Sequence, residues 1–511
     1  LSKKLVLNSI SSTTLYVINI VVAFVMSPII IRTLGNRNYG LWELVMSVIG
    51  YMGLLDLGIG PALIRFVAVA NGKQDKNDLQ QTTSTAFAFF IVVGGVALLL
   101  FSVMGYFPQI VAGKETKDIA NLGTVFLLLA IDAGLLFPLQ VFVATLMGVQ
   151  RHYFINGARG ILTIVRALLT FYLLRRYPDK GLLMIALLEP LFTAVQFVLF
   201  TGAVYCDKNI PNISLSAITW NKLRELFTFG AKSAIMMIAS RLQNQSVPLI
   251  IGNVVGLGHV VYFVMPNRLI DYAKGFSQTI GVPLTPYFGE SIGRGDREQL
   301  LKSWFNTTLA LQIVSLAMPL IIFFYGETFL ALWIGKEYAV AGRWVIYFLL
   351  AGLVADSLAT NSIRILTAQG LHGRNAIIWL LLSVLSIPLG ILGASLWGVV
   401  GVTFGTTLVM VVGNLVTVML ACSVMQVSLK IYCKETLLHL VVPLLFLFLA
   451  MWACSNALPV TSYSNLLIQL LVTGCVYILA VWRFTLNEEV RDRIRIYLKK
   501  HAFRKRDYDP A

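Results

Sequence analysis

The chain has 511 residues, 57% of them hydrophobic and only 13% charged, with a formal net charge of +16. Soluble domains carry about 25% charged residues, so this composition excludes a string of soluble domains and indicates a polytopic membrane protein. The cations are dispersed over loops, spans and a basic tail, which excludes a nucleic-acid-binding module. The five cysteines form no CxxC pair and the five histidines no cluster, so neither a disulfide framework nor a metal site is expected.

A window one membrane crossing long predicts fourteen helices, at about 10–33, 41–70, 82–106, 120–147, 154–175, 182–206, 227–251, 256–288, 303–325, 340–368, 376–395, 397–422, 437–457 and 463–483. The first follows Lys3 and Lys4 directly and is too long for a cleaved signal, so it is read as a span. The second would be roughly 45 Å long against a hydrocarbon core near 30 Å, so it must tilt, kink or project. Gly58, Gly60 and Pro61 form its expected hinge, because Pro61 cannot donate to the carbonyl of Leu57. Asp56 and Arg65 flank that break, and both would be expensive facing lipid.

Loop charge sets the orientation. With the N-terminus in the cytoplasm, 24 loop and tail cations fall inside, from Lys3 to Arg506, against nine outside, among them Arg32, Lys114 and Lys336. Both termini are therefore expected in the cytoplasm, with Arg175 and Arg176 running against the trend.

The sequence also repeats itself. Gly35 to Asp75 aligns with Gly256 to Asp296 at a constant offset of 221, pairing Ile59-Gly60 with Ile280-Gly281 and Gly72 with Gly293. The overlong eighth span thus carries its own expected hinge, at Gly281 and Pro283. An even number of spans per copy makes the repeat parallel. The expected organisation is a six-helix bundle over 1–206, a cytoplasmic linker over 207–226, a second six-helix bundle over 227–423, two additional spans over 424–483 and a basic amphipathic tail over 484–511. In that tail Thr485 and Glu488 suit a capping box, and Val490, Ile494, Tyr497 and Leu498 form a stripe suited to the anionic leaflet.

Leu34-Gly35, Tyr39-Gly40-Leu41-Trp42 and Leu54-Leu55-Asp56-Leu57-Gly58-Ile59-Gly60, continuing through Ala62, Arg65 and Ala68, carry a family resemblance. With the six-plus-six-plus-two pattern, the chain resembles the polysaccharide and O-antigen lipid flippases of the multidrug/oligosaccharidyl-lipid/polysaccharide exporter superfamily. The resemblance implies an all-α membrane protein of about 14 spans, with two bundles in a V around a central cavity. It also implies alternating-access transfer of an undecaprenyl-pyrophosphate-linked glycan across the bacterial inner membrane. Membrane lipids, a polysaccharide polymerase and assembly proteins are the implied partners, with no cofactor beyond a coupling proton or sodium gradient.

Charge inside spans nominates the site. Arg241 lies in mid-span within Ser240-Arg241-Leu242-Gln243-Asn244-Gln245-Ser246, and no acid lies three or four residues away to neutralise it. Its planar donor fork suits phosphate oxygens, while a cross-helix pair with Asp56 or Asp132 is the structural alternative. Arg268, Asp271 and Lys274 share one drifting face, where Asp271 can pair with either neighbour and leave one positive charge. Asp356, Thr360 and Arg364 form a polar stripe with Asn361 alongside, which suggests a cavity lining. Substrate contact is thus expected at Arg241, Arg364, Arg65, Arg268, Lys274, Asn244, Thr360 and Asn361. Asp56, Asp132, Asp271 and Asp356 are candidates for ion coupling or for charge pairing.

Other functions compete. A membrane-embedded glycan polymerase or transferase would need an acid/base or nucleophile at a span mouth, and the short external loops offer no such cluster, so no enzyme is expected. Within transporters, a lipid II flippase would need the same anion chemistry. A cation-coupled multidrug antiporter would prefer an acidic cavity, against which Arg241 and Arg364 argue.

Overall fold

The computed structural model describes residues 3–112, 119, 121–281, 284–294, 296–486, 488 and 491–492. Pro283 and nearly all of the basic tail lie outside the described residues. Among the described residues the chain is helical, without strands. The helices are α1 (Lys3–Met52), α2 (Ile59–Lys73), α3 (Lys76–Tyr106), the single turn α4 (Gln109–Ala112), α5 (Leu122–Gly148), α6 (His152–Arg176), α7 (Gly181–Tyr205), α8 (Trp220–Ile250) and α9 (Val260–Gly281). They continue as α10 (Leu284–Gly293), α11 (Arg297–Ser315), α12 (Ala317–Trp333), α13 (Lys336–Ala368), α14 (His372–Val424), α15 (Leu429–Thr436), α16 (Leu438–Ala457) and α17 (Tyr463–Phe484).

Ten described segments are long and apolar enough to cross a membrane. Two of them are too long for one crossing. Ile10–Asp56 has 47 residues and Gly373–Val424 has 52, roughly 70 and 80 Å of helix against a core near 30 Å. Each is broken at a glycine of positive φ, Gly35 at φ 72° and Gly398 at φ 59°, the latter preceded by the non-helical Trp397. Taken as two crossings each, they bring the ten segments to twelve crossings; the more polar α8 and α9, expected as the seventh and eighth spans, are not among the ten. The architecture is an all-α polytopic membrane fold.

The second span departs from expectation in where it breaks. A 3-10 turn over Gly53–Asp56 follows α1, and both Leu57 (φ 52°) and Gly58 (φ 80°) are left-handed before α2 begins at Ile59. Pro61 therefore sits in the first turn of α2, where its missing N–H leaves no hydrogen bond unmade. The break comes from the two left-handed residues rather than from a lost bond to Leu57.

The chain forms two compact units, Leu1–Asn267 with Gly373–Met410, and Arg268–His372 with Val411–Ala511. In the first, α3, α5 and α7 build a core around Leu139, Phe142, Leu146, Phe200 and Val204, with Ile155 of α6. Membrane helices gain little from apolar burial alone and associate through close packing at small residues. The seam between residues 40–58 and α8 follows that rule: a Cβ on Gly58 would fall onto the carbonyl oxygen of Gly230, and one on Gly40 onto that of Leu257, in the connection from α8 to α9. Tyr51 Oη and Ser246 Oγ share a 2.5 Å hydrogen bond along the same seam. In the second unit, Trp304, Phe288, Ile365 and Tyr432 centre one core, and Tyr325, Leu447, Met451 and Tyr477 another.

Candidate functional site

Arg241 stands on α8 in the first unit, half-buried, beside a cavity of about 350 Å³ lined by Met236, Met237, Ser240, Arg241, Asn244 and Gln245. Its guanidinium lies so close to Gly53 that a Cβ there would sit 3.2 Å from Nη2. Its charge reaches Asp56, but no hydrogen bond or ion pair ties it to a described residue. Asn244 is exposed and donates to Ser240 Oγ at 3.3 Å. Four residues of the polar run, Ser240, Arg241, Asn244 and Gln245, thus share one cavity, while Ser246 bonds Tyr51.

Asp56 is buried at the end of the 3-10 turn, where its Oδ1 accepts the N–H of Gly60 at 2.7 Å. The carboxylate caps the N-terminus of α2, a position where the helix dipole favours negative charge. A Cβ on Gly60 would crowd its other oxygen, at 2.7 Å, so Gly60 serves the cap as much as any hinge. Arg65, one turn further on, is exposed and stacks its guanidinium 4.2 Å over the ring of Phe229.

Asp132 is buried on α5 and accepts a 2.6 Å hydrogen bond from Thr193 Oγ1 of α7. The ion pair of Arg166 with Glu189 lies within electrostatic reach of it. Two carboxylates therefore face one guanidinium inside the first unit.

The remaining charged candidates converge in the second unit. Asp271 lies in the field of Lys274 and Arg268, and Asp356 in that of Lys274 and Arg364. Arg364 donates to the Thr360 carbonyl at 2.9 Å and to the Gln278 carbonyl at 3.1 Å. A Cβ on Gly281 would strike this guanidinium, so the glycine makes room for it. Three cations against two carboxylates leave one positive charge. Thr360 turns its hydroxyl back onto the carbonyl of Asp356, at 2.7 Å.

Asn361 is a correction. It is buried and donates to Thr308 Oγ1 at 2.8 Å and Thr307 Oγ1 at 3.1 Å, so it packs against α11. One residue on from Thr360 means a rotation of about 100°, enough to move it from the polar stripe into the helix interface.

Two features escaped sequence reasoning. Arg159, counted only among the inside cations, lies within α6 and lines a second cavity, of about 370 Å³, with Asp56, Pro61, Gln140 and Met147. The Arg166–Glu189 pair joins residues 23 apart on two helices, for which no spacing rule exists.

The polysaccharide biosynthesis protein family model matches residues 5–292. A Shigella flexneri protein named for O-antigen transport is 24% identical over 370 residues, covering 71% of this chain and 84% of its own length. Among solved structures, the lipid II flippase MurJ aligns with a TM-score of 0.70 at 14% identity, covering 94% of this chain and 98% of that one. A multidrug resistance MATE family transporter of the MOP superfamily aligns with a TM-score of 0.65 at 15% identity, covering 81% and 94%. At these identities the two structures establish the shared fold.

Proposed function

We propose that this chain, which belongs to the polysaccharide biosynthesis protein family, is a flippase that carries an undecaprenyl-pyrophosphate-linked oligosaccharide across the bacterial inner membrane. One observation carries the reading: Arg241 is a cation on α8, expected from the sequence to be a span, beside a cavity and with no hydrogen bond or ion pair to a described residue. Such a charge is expensive within a membrane unless an anion meets it. The guanidinium fork matches two phosphate oxygens at once, which a pyrophosphate supplies. The surplus positive charge of Arg268, Lys274 and Arg364 over Asp271 and Asp356 supports the same preference for an anion. The name of the Shigella relative supports a repeat unit of the O-antigen kind as the glycan.

In this reading both termini are cytoplasmic, the two six-span repeats alternate access, and the break at Leu57–Gly58 is where the second span flexes. The buried Asp132, with Thr193, Arg166 and Glu189, is where a coupling proton or sodium ion would be held. The chain performs transfer without bond chemistry of its own.

The test is membrane abundance measured beside translocation of lipid-linked glycan. Arg241→Ala should be made normally and should not translocate, and Arg241→Lys should recover part of the activity, because lysine keeps the charge and loses the fork. A well-expressed Arg241→Ala protein with normal translocation overturns the assignment. If Arg241 were instead half of a structural pair, its removal would strand Asp56 at a cost of about 3–5 kcal/mol, and Asp56→Asn would restore abundance.

A further inference from the structure

A third pocket lies at the N-terminal end of α8, on the first unit alone. It encloses about 560 Å³ and is lined by Phe66 of α2 and by Asn221, Arg224, Glu225, Thr228 and Phe229 of α8. Its base is rigid. Thr219 caps the helix, and Lys222, buried beneath, bonds both Asp78 Oδ1 at 2.6 Å and Glu225 Oε2 at 2.7 Å. Phe66 and Phe229 meet edge to face, with ring centroids 6.1 Å apart, and the Arg65 guanidinium lies 4.2 Å over Phe229.

Two of the four polar side chains that line it are unengaged. Arg224 and Asn221 are exposed, and their side chains bond to no described residue. Thr228 donates to the Arg224 carbonyl at 2.7 Å, which keeps its oxygen lone pairs available. Lys222 holds Glu225 in place through one carboxylate oxygen, and the other can accept a hydroxyl proton. Arg65, Lys222 and Arg224 against Glu225 and Asp78 leave one positive charge. One guanidinium fork, that of Arg224, beside an amide, a hydroxyl, a carboxylate and two aromatic rings, with Arg65 stacked on one ring and Lys222 on the other, combines phosphate recognition with recognition of a hydroxyl-rich ring. The volume suits a small-molecule head group.

We infer that this pocket receives the glycosyl phosphate end of the lipid-linked substrate, Arg224 holding phosphate and Asn221, Glu225 and Thr228 the first sugar. Seventeen residues separate Arg224 from Arg241, about 25 Å along α8, so the pocket is a station distinct from the Arg241 cavity. With the orientation proposed above, it lies at the cytoplasmic end, where the substrate is loaded. The inference rests on the flippase reading. A phosphoester bearing a hydroxyl-rich group is also the chemistry of an anionic phospholipid head, so the test separates the two sources.

Binding is measured on the purified full-length protein in phosphatidylcholine nanodiscs. The probes are a short-chain prenyl-pyrophosphoryl-N-acetylglucosamine, the same prenyl pyrophosphate without sugar, and short-chain phosphatidylglycerol. Arg224→Gln should weaken both prenyl probes about tenfold, whereas Asn221→Ala and Thr228→Val should weaken only the sugar-bearing one. All three variants should melt with the wild type, since none removes a side chain that bonds across helices. If Arg241→Gln weakens binding and Arg224→Gln does not, the pocket is overturned and the flippase reading stands. If the wild type binds neither prenyl probe, both fall. Phosphatidylglycerol binding as tightly, with the same dependence on Arg224, or no selective loss in the Asn221 and Thr228 variants, overturns the glycosyl assignment.

Discussion

The guanidinium of Arg241 rests against the bare α-carbon of Gly53, so that a methyl there would lie 3.2 Å from Nη2 and 3.3 Å from Cζ. The contact joins the helix break of the second span to the cation that the proposed mechanism needs. Because the guanidinium is the far end of a flexible side chain, Gly53→Ala should displace it by a few tenths of an ångström without unfolding the protein. Translocation should fall severalfold, equivalent to ~1 kcal/mol, while the melting temperature holds. Unchanged translocation in Gly53→Ala would mean that the placement of this cation is not critical.

Asp75 and Asp296 cap their helices alike. Asp75, at φ −85° and ψ 92°, accepts from Asn77 and Asp78 at the start of α3, and Asp296, at φ −86° and ψ 94°, accepts from Gln299 at the start of α11. Each should lose about 1 kcal/mol of stability on change to Ala and little on change to Asn, which keeps the accepting oxygen. Thermal unfolding of the four variants in detergent measures this. An Ala variant as stable as its Asn counterpart would show that the cap contributes nothing.

Those two aspartates also show what the sequence made legible. The repeat at an offset of 221 is visible in residues that dictate backbone geometry, Gly35 with Gly256 and Asp75 with Asp296. Both glycines have positive φ and both acids cap helices. Apolar run lengths revealed the spans for the same reason, because the bilayer imposes one length on every crossing. The charged candidates were legible as unusual residues but not as partners. Asp132 meets Thr193 from 61 residues away, and Arg65 meets Phe229 from another helix entirely. Asn361 failed on a smaller scale, since neighbours on a helix point about 100° apart and polarity alone does not say which one faces a cavity.

Lys222 offers a prediction in pH. Burial opposes its charge, but the hydrogen bonds to Asp78 and Glu225 outweigh burial and hold the ammonium above the ordinary lysine range. A raised lysine contributes stability that is fully present below the unfolded value, about 10.4, and is lost as pH rises through the folded one. Lys222→Met should therefore lower stability by ~1–2 kcal/mol, evenly between pH 6 and 9. The gap to the wild type should narrow only in stronger alkali. A gap that changes across the neutral range would assign the stability to another group.

Asp56 and Asp132 can be told apart by the difference between losing a charge and losing an acceptor. Asp56 receives the Gly60 N–H at 2.7 Å and starts α2, a task that an asparagine oxygen can perform. Asp56→Asn should then keep translocation near normal, and Asp56→Ala should lose ~1 kcal/mol of stability as the cap goes. Asp132 accepts from Thr193 beside the Arg166–Glu189 pair, where asparagine keeps the hydrogen bond but cannot take up a proton or neutralise a sodium ion. If the coupling ion is held there, Asp132→Asn should fold and bind the prenyl-pyrophosphate probe, yet its translocation should no longer respond to an imposed proton or sodium gradient in proteoliposomes. Gradient response kept in Asp132→Asn and lost in Asp56→Asn would reverse the two roles and make the cap of α2 the coupling site.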